Sequence, residues 1–150
     1  MKYSEKLLRR LNELLLINYE AKKIYMEAQG EDVNEDLKRF FRKRTYERHE
    51  SVRFLSSETA KLNEKPYDLK LLNSRFHDFR ENFKSLLKQN NENELLEDIY
   101  YLEKLSLDKF NAVLSEPGLS LSMCKALIKQ RDITESSLNA IKRREDELVA

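Results

Sequence analysis

Glu103 carries the most chemical promise in this sequence. At about 100° per residue it projects into the middle of an apolar helical stripe, between Ile99 and Phe110 with Leu96 and Leu107 beside it. A lone carboxylate buried there is costly unless a cation or hydrogen-bond donors meet it. The same projection puts Asn18 on the core side of a first helix, Arg44 and Arg48 on that of a second, and Arg131 and Thr134 on that of the last. Four helices thus each carry a polar residue near mid-height. Two kinds of chemistry fit: a hydrogen-bonded ion-pair layer that fixes helix register, or a site for a metal or small ligand inside a bundle. A ligand site formed by Asn18, Arg48, Glu103 and Arg131 needs room, and Ala21, Ser51 and Ser106 offer only a modest amount.

A di-metal carboxylate centre in a bundle holds two iron or manganese ions with a Glu from each of two helices and a Glu-x-x-His pair from each of the other two. The residues that could approximate this set are Glu20, Glu47, His49, Glu50, Glu103 and Glu135. The inventory falls short. The only histidines are His49 and His77, Tyr46 rather than Glu stands three residues before His49, and the last helix has no His. Arg131 and Thr134 take the core positions where Glu and His would stand, and a cation at that depth repels a divalent ion. The reading adopted is that Arg44, Arg48 or Arg131 replaces metal charge beside Glu103, because a guanidinium satisfies a carboxylate bidentately while staying charged. The expected layer is Asn18, Arg44, Arg48, Glu103, Arg131 and Thr134, with no catalytic residue and no cofactor; iron or manganese belongs to the alternative reading.

The elements that position these residues are drawn by scarce glycine and proline, which fall at Gly30, Pro66, Pro117 and Gly118. Between them run helical repeats of apolar residues with no alternating β-branched run. The spacing predicts helices over about 4–29, 34–62, 67–88, 92–115 and 120–148. The first should end at Gly30 as a left-handed cap, the second should start after Asp32 or Asn34, and Asn91 with Glu94 has the form of a helix start. The last helix should turn Cys124, Leu127, Arg131, Thr134, Leu138 and Ile141 to one side. One amphipathic stripe per helix favours an antiparallel bundle with short connections.

Composition agrees with one all-α domain. The 150 residues carry 28 Lys and Arg against 27 Asp and Glu, so no basic excess draws in nucleic acid. The clusters Lys38-Arg39, Arg42-Lys43-Arg44 and Lys142-Arg143-Arg144 alternate with acids and read as solvated faces. Two glycines cannot supply a phosphate loop, and no Gly-x-Ser-x-Gly turn is present. The single Cys124 excludes an internal disulfide and reads as core filling. His49 reads as a surface residue and His77 as a partly buried, hydrogen-bonded one. Charges between Met1 and Ile17 interrupt any signal or membrane stretch, so the expected location is cytoplasmic, with no membrane partner.

The run from Leu11 to Ala21, with Tyr25 and Ala28, then Leu37 to Arg42, Glu47-Arg48 and Leu55, resembles the bacterial ferritin-like four-helix-bundle proteins grouped under a domain of unknown function. His77 followed by Phe83-Lys84 and Leu87 is similar to that family's third-helix pattern, and Glu103 falls where the family has a Glu. The resemblance covers most of the chain. It implies a ferritin-like antiparallel four-helix bundle with an extra broken or short helix before the third bundle helix. The function expected is a non-enzymatic structural or interaction protein, stress-related, with a degenerate metal site; the alternative is a divergent di-iron or di-manganese carboxylate protein with oxidoreductase or storage activity. The off-stripe tyrosines Tyr3, Tyr19, Tyr46, Tyr67, Tyr100 and Tyr101 suggest an interface, with a homodimer expected.

Overall fold

The computed structural model describes residues 4–61 and 70–149. It contains α1 (Glu5–Ala28), α2 (Glu35–Lys61), α3 (Lys70–Gln89), α4 (Glu92–Leu114) and α5 (Leu121–Val149), and no strand among the described residues. Short polar side chains start four of these helices by accepting from amides that have no partner within the helix. Ser4 Oγ accepts from Leu7 N at 3.1 Å, Asn34 Oδ1 from Leu37 N at 3.0 Å, Asn91 Oδ1 from Glu94 N at 3.3 Å and Ser120 Oγ from Met123 N at 3.2 Å. The predicted start of the third helix and its Pro66 turn lie outside the described residues, as do Leu62, Tyr3 and Tyr67.

One helix end differs from expectation. Gly30 is not left-handed: α1 stops at Ala28, Gln29 keeps helical angles, and the Gly30 amide bonds to the Glu27 carbonyl at 3.2 Å. The positive φ angles belong instead to Asn90 (57°), which closes α3, and Gly118 (93°), which turns the chain from α4 into α5. Asn tolerates this region because its short amide side chain bonds locally. The α3–α4 link therefore stays tight enough to need no glycine.

The chain makes one antiparallel hairpin from α1 and α2 and another from α4 and α5. Lys109 reaches Glu13 at 2.9 Å and Arg10 donates to the Ala112 carbonyl at 2.8 Å, so α1 and α4 run in opposite directions. Leu37 and Phe41 share a cluster with Leu95 and Leu96 while Leu55 joins Phe110 and Val113, so α2 and α4 are parallel. Parallel second and fourth helices require the chain to return along the bundle between them. α3 is that return, and it beds its Phe76, Phe83, Leu86 and Leu87 edge over the seam between α1 and α4. Arg80 to Glu20 (3.6 Å), Lys84 to Glu27 (3.7 Å) and Asn82 to Asp98 (2.9 Å) flank that edge.

The core is two apolar clusters. One gathers Ile17, Ala21, Ile24, Tyr25, Phe41, Leu96, Ile99 and Ile141 with the α3 edge; the other gathers Leu7, Leu11, Leu14, Leu55, Phe110, Val113, Met123 and Leu127. Along α1, α2, α4 and α5 alike, a buried polar stretch separates the two. On the side opposite α3, α2 and α5 stay apart, leaving an open groove of about 760 Å³ between them.

Candidate functional site

The polar stretches meet in one layer. Glu103 is fully buried on α4, flanked by Leu102 and Ser106 in the same stripe. Arg44, almost fully buried on α2, grips it in a fork: Nε donates to Oε1 at 2.5 Å and Nη2 to Oε2 at 3.0 Å. Arg48, one turn further along α2, donates through Nη2 to Oε2 and through Nη1 to Asn18 Oδ1 at 2.9 Å. Asn18 passes the chain on by donating to the Leu14 carbonyl at 2.9 Å, the back-bond of a polar residue inside a helix. Ser137 on α5 donates its hydroxyl to Glu103 Oε1 at 2.8 Å. Arg44 Nη1 donates in turn to Glu47 Oε1 at 3.1 Å. Two guanidinium groups and two carboxylates balance, so the layer is neutral and touches all four bundle helices.

The electrostatics follow from that balance. Burial pushes the Glu103 carboxyl upward, but Arg44 and Arg48 outweigh it and hold the group below the usual carboxylate range. Arg44 is held above its ordinary value: Glu103 and Glu47 together exceed the penalty of burial. Arg48 goes the other way, because its complete burial and the neighbouring Arg44 outweigh Glu103. Tyr25 lies close enough to feel these charges, and burial, reinforced by Glu103, drives its phenol far above the ordinary range. The Tyr25 hydroxyl and Arg48 Nε are buried without a well-aligned hydrogen bond, although Arg48 lies close enough to the phenol to pull its pKa slightly back down. An unpaired buried hydroxyl costs about 1–3 kcal/mol. Tyr25→Phe is therefore expected to leave stability unchanged or raise it by roughly 1 kcal/mol, read as the urea midpoint at constant slope; a loss above that size would mean the hydroxyl has a partner.

Asn18, Arg44, Arg48 and Glu103 come together from sequence positions 85 residues apart. Arg131 does not join them. Its side chain is about one-third exposed and bridges Asp132 at 3.0 Å. The buried stripe of α5 is centred on Met123, Leu127, Thr134, Leu138 and Ile141, and at 100° per residue Arg131 falls about 55° from its middle, just beyond Leu138 at its edge. Cys124 lies on the same side, about 75° from the middle, and is only partly buried, with Met123 filling the core instead. Thr134 is buried, but its hydroxyl turns back to the Gln130 carbonyl at 3.0 Å and leaves the layer to Ser137. Ser137 was the residue missed. Its signal was its three-residue spacing from Thr134, readable only with the correct rotation of α5.

The carboxylates and imidazole of the metal alternative are scattered. Glu20 is buried on the α3 side, between Lys23 at 3.4 Å and Arg80 at 3.6 Å. Glu50 is exposed beside Arg53, Glu135 is exposed, and His49 is partly buried rather than solvated. His77 is exposed rather than partly buried, because Phe76 takes the inward position on α3. Only Glu47 and Glu103 approach each other, and the Arg44 guanidinium sits between them. No cluster of three or more His, Cys, Asp or Glu able to hold a metal occurs among the described residues. The donor set does not fit a di-metal centre: the one convergent point is filled by cations.

Among the described residues no helix is long and apolar enough to cross a membrane. Comparison with curated proteins and with solved structures gives no match. A family match covers α1 through α4 and stops before α5. The chain, matched over residues 6–116, belongs to the family described as a domain of unknown function, DUF2383.

Proposed function

We propose that this protein is a ferritin-like helical bundle that works as a non-enzymatic structural or interaction module, in a bacterial stress setting, with a permanent ion-pair layer where metal-binding bundles place their ions. The observation that carries the reading is the double guanidinium contact on Glu103. Arg44, Arg48 and Ser137 together donate four hydrogen bonds to its two oxygens, and the two guanidinium groups keep the carboxylate ionised without a metal. The path of the chain supports it too. Two antiparallel hairpins joined by one long crossover, carrying α3, is the connectivity of ferritin-like bundles. Exposed Tyr19, Tyr46 and Tyr101 offer contact area outside the core, in keeping with a cytoplasmic homo-oligomer or a protein partner.

The test is elemental analysis after incubation with ferrous iron, manganese or zinc and desalting, for the native chain and for Glu103→Gln. Neither should retain metal above background. About two equivalents in the native chain, lost in the variant, would overturn the reading in favour of a divergent di-iron or di-manganese carboxylate protein.

A further inference from the structure

The bundle has two lateral seams of unlike fate. The α1–α4 seam presents Glu20, Glu27 and Asp98, and α3 fills it with an apolar edge flanked by Arg80, Lys84 and Asn82. An acidic seam has received a basic amphipathic helix. The α2–α5 seam is open, and its charge is inverted. Its lining holds five cations and two carboxylates, in a chain that totals 28 to 27. One of the five, Arg44, is engaged by Glu103 and Glu47. The other four, Lys43, Lys125, Lys129 and Arg143, have no carboxylate partner among the described residues. Between them the groove is apolar, with Phe40, Ile128, Ile133 and Ala140 on its walls and Ile128 exposed at 39%.

We propose that the α2–α5 groove seats an amphipathic helix of a partner protein, its apolar edge on Ile128, Ile133 and Phe40 and acidic residues on both flanks. This rests on the interaction-module reading and gives that module a partner class. Length argues for a helix over a compact ligand. Its α5 wall runs from Lys125 to Arg143, about 27 Å at 1.5 Å per residue, and α2 faces it from Phe40 to Glu47, about 10 Å, with the side open to solvent. The recognition is helix-in-groove docking, with the apolar edge supplying affinity and the rim charges supplying steering and choice of partner. α3 on the opposite seam is the same device made intramolecular.

The experiment titrates the full chain with a fluorescent synthetic peptide of about 18 residues, enough to span the groove. It carries Leu and Phe at every third or fourth position and Glu on both flanks. A second peptide has Lys in place of each Glu. The Glu-flanked peptide should bind, weakening as salt rises, and the Lys-flanked one should not. Lys125→Glu with Lys129→Glu should weaken the first by roughly tenfold or more and bring in the second. Ile128→Glu should abolish binding of either; these positions are exposed, and unchanged circular dichroism verifies the fold. Absence of binding by the Glu-flanked peptide, equal binding of both peptides, or indifference to Ile128→Glu overturns the proposal. So does tighter binding to anionic phospholipid vesicles or duplex RNA than to the peptide. A native dimer that Ile128→Glu splits would put a second copy in the groove and overturn it as well. Metal content separates the two claims: a chain that binds the peptide and also holds two metal equivalents sinks only the non-enzymatic reading, and a metal-free chain that ignores the peptide sinks only this one.

Discussion

Glu103→Gln is expected to lose roughly 3–5 kcal/mol of unfolding free energy, because it leaves two buried guanidinium groups against each other with Glu47, beside Arg44, as their one remaining carboxylate. For a chain of this length that is a fall of roughly 6–20 °C in Tm. The loss measures the stranded cations rather than the strength of the ion pair. Replacing the three residues together, Glu103→Leu with Arg44→Met and Arg48→Met, should regain much of it, since apolar groups of similar volume remove the desolvation penalty along with the attraction. A single variant that loses under about 1 kcal/mol would mean that the guanidinium groups find water, and that the layer does not hold the bundle.

The pH dependence of that difference has a definite sign. The folded-state pKa of Glu103 lies below its unfolded value, so the unfolded chain takes up the proton first. Its stabilisation is fully present above the unfolded value of about 4.3 and drains as pH falls through that value toward the folded one. The gap between the native chain and Glu103→Gln should hold constant from neutral pH down to about 5 and narrow below about 4. Urea melts across that range measure it, and a gap that widens with acid would contradict the assignment of an ionised Glu103.

Phe41→Ala is the second large effect, expected at roughly 3–5 kcal/mol. Phe41 is fully buried and is the ring through which three helices meet: it stacks on Tyr25 of α1 at 5.8 Å, meets Phe40 at 5.9 Å and meets Phe83 of α3 edge-on at 6.2 Å. Removing it opens a cavity at the join between the α1–α2 hairpin and the crossover helix, and the rigid surroundings fill little of it. The loss should be uneven. Amide hydrogen exchange in α3 should rise more than in α4 or α5, because α3 is held by that aromatic edge and by three polar contacts, of which Lys84–Glu27 and Asn82–Asp98 are exposed or half-exposed. Uniform loss of protection would show α3 folding as one unit with the rest.

Much of this architecture is local and therefore readable. Ser120, Asn34 and Asn91 start their helices through their own side chains, a bond that spans three residues and needs no tertiary partner. The stripes of α1, α2 and α4 are dense enough that Asn18, Arg44, Arg48 and Glu103 had to face inward whatever packed against them. Burying them together required that they satisfy one another. α5 was less determinate. Its stripe is weakened by Thr134 and Ser137, and a rotation of only about 20° past Leu138 at the stripe's edge separates a buried Arg131 from the observed surface one. Hydrophobic periodicity places a helix face only as sharply as its apolar residues are spaced, and here they are sparse.

Amphipathic spacing and short-range capping, both properties of neighbours along the chain, determined by themselves the all-α class, four of the helix starts and the four core members of the polar layer. Tertiary structure alone decided which cations reach Glu103, that Ser137 rather than Arg131 or Thr134 completes its shell from α5, that α3 closes one seam, and that the opposite seam stays open. Those outcomes depend on register and on which faces meet across the bundle, and the side chains that fix them, from Asn18 to Ser137, are up to 119 residues apart in sequence.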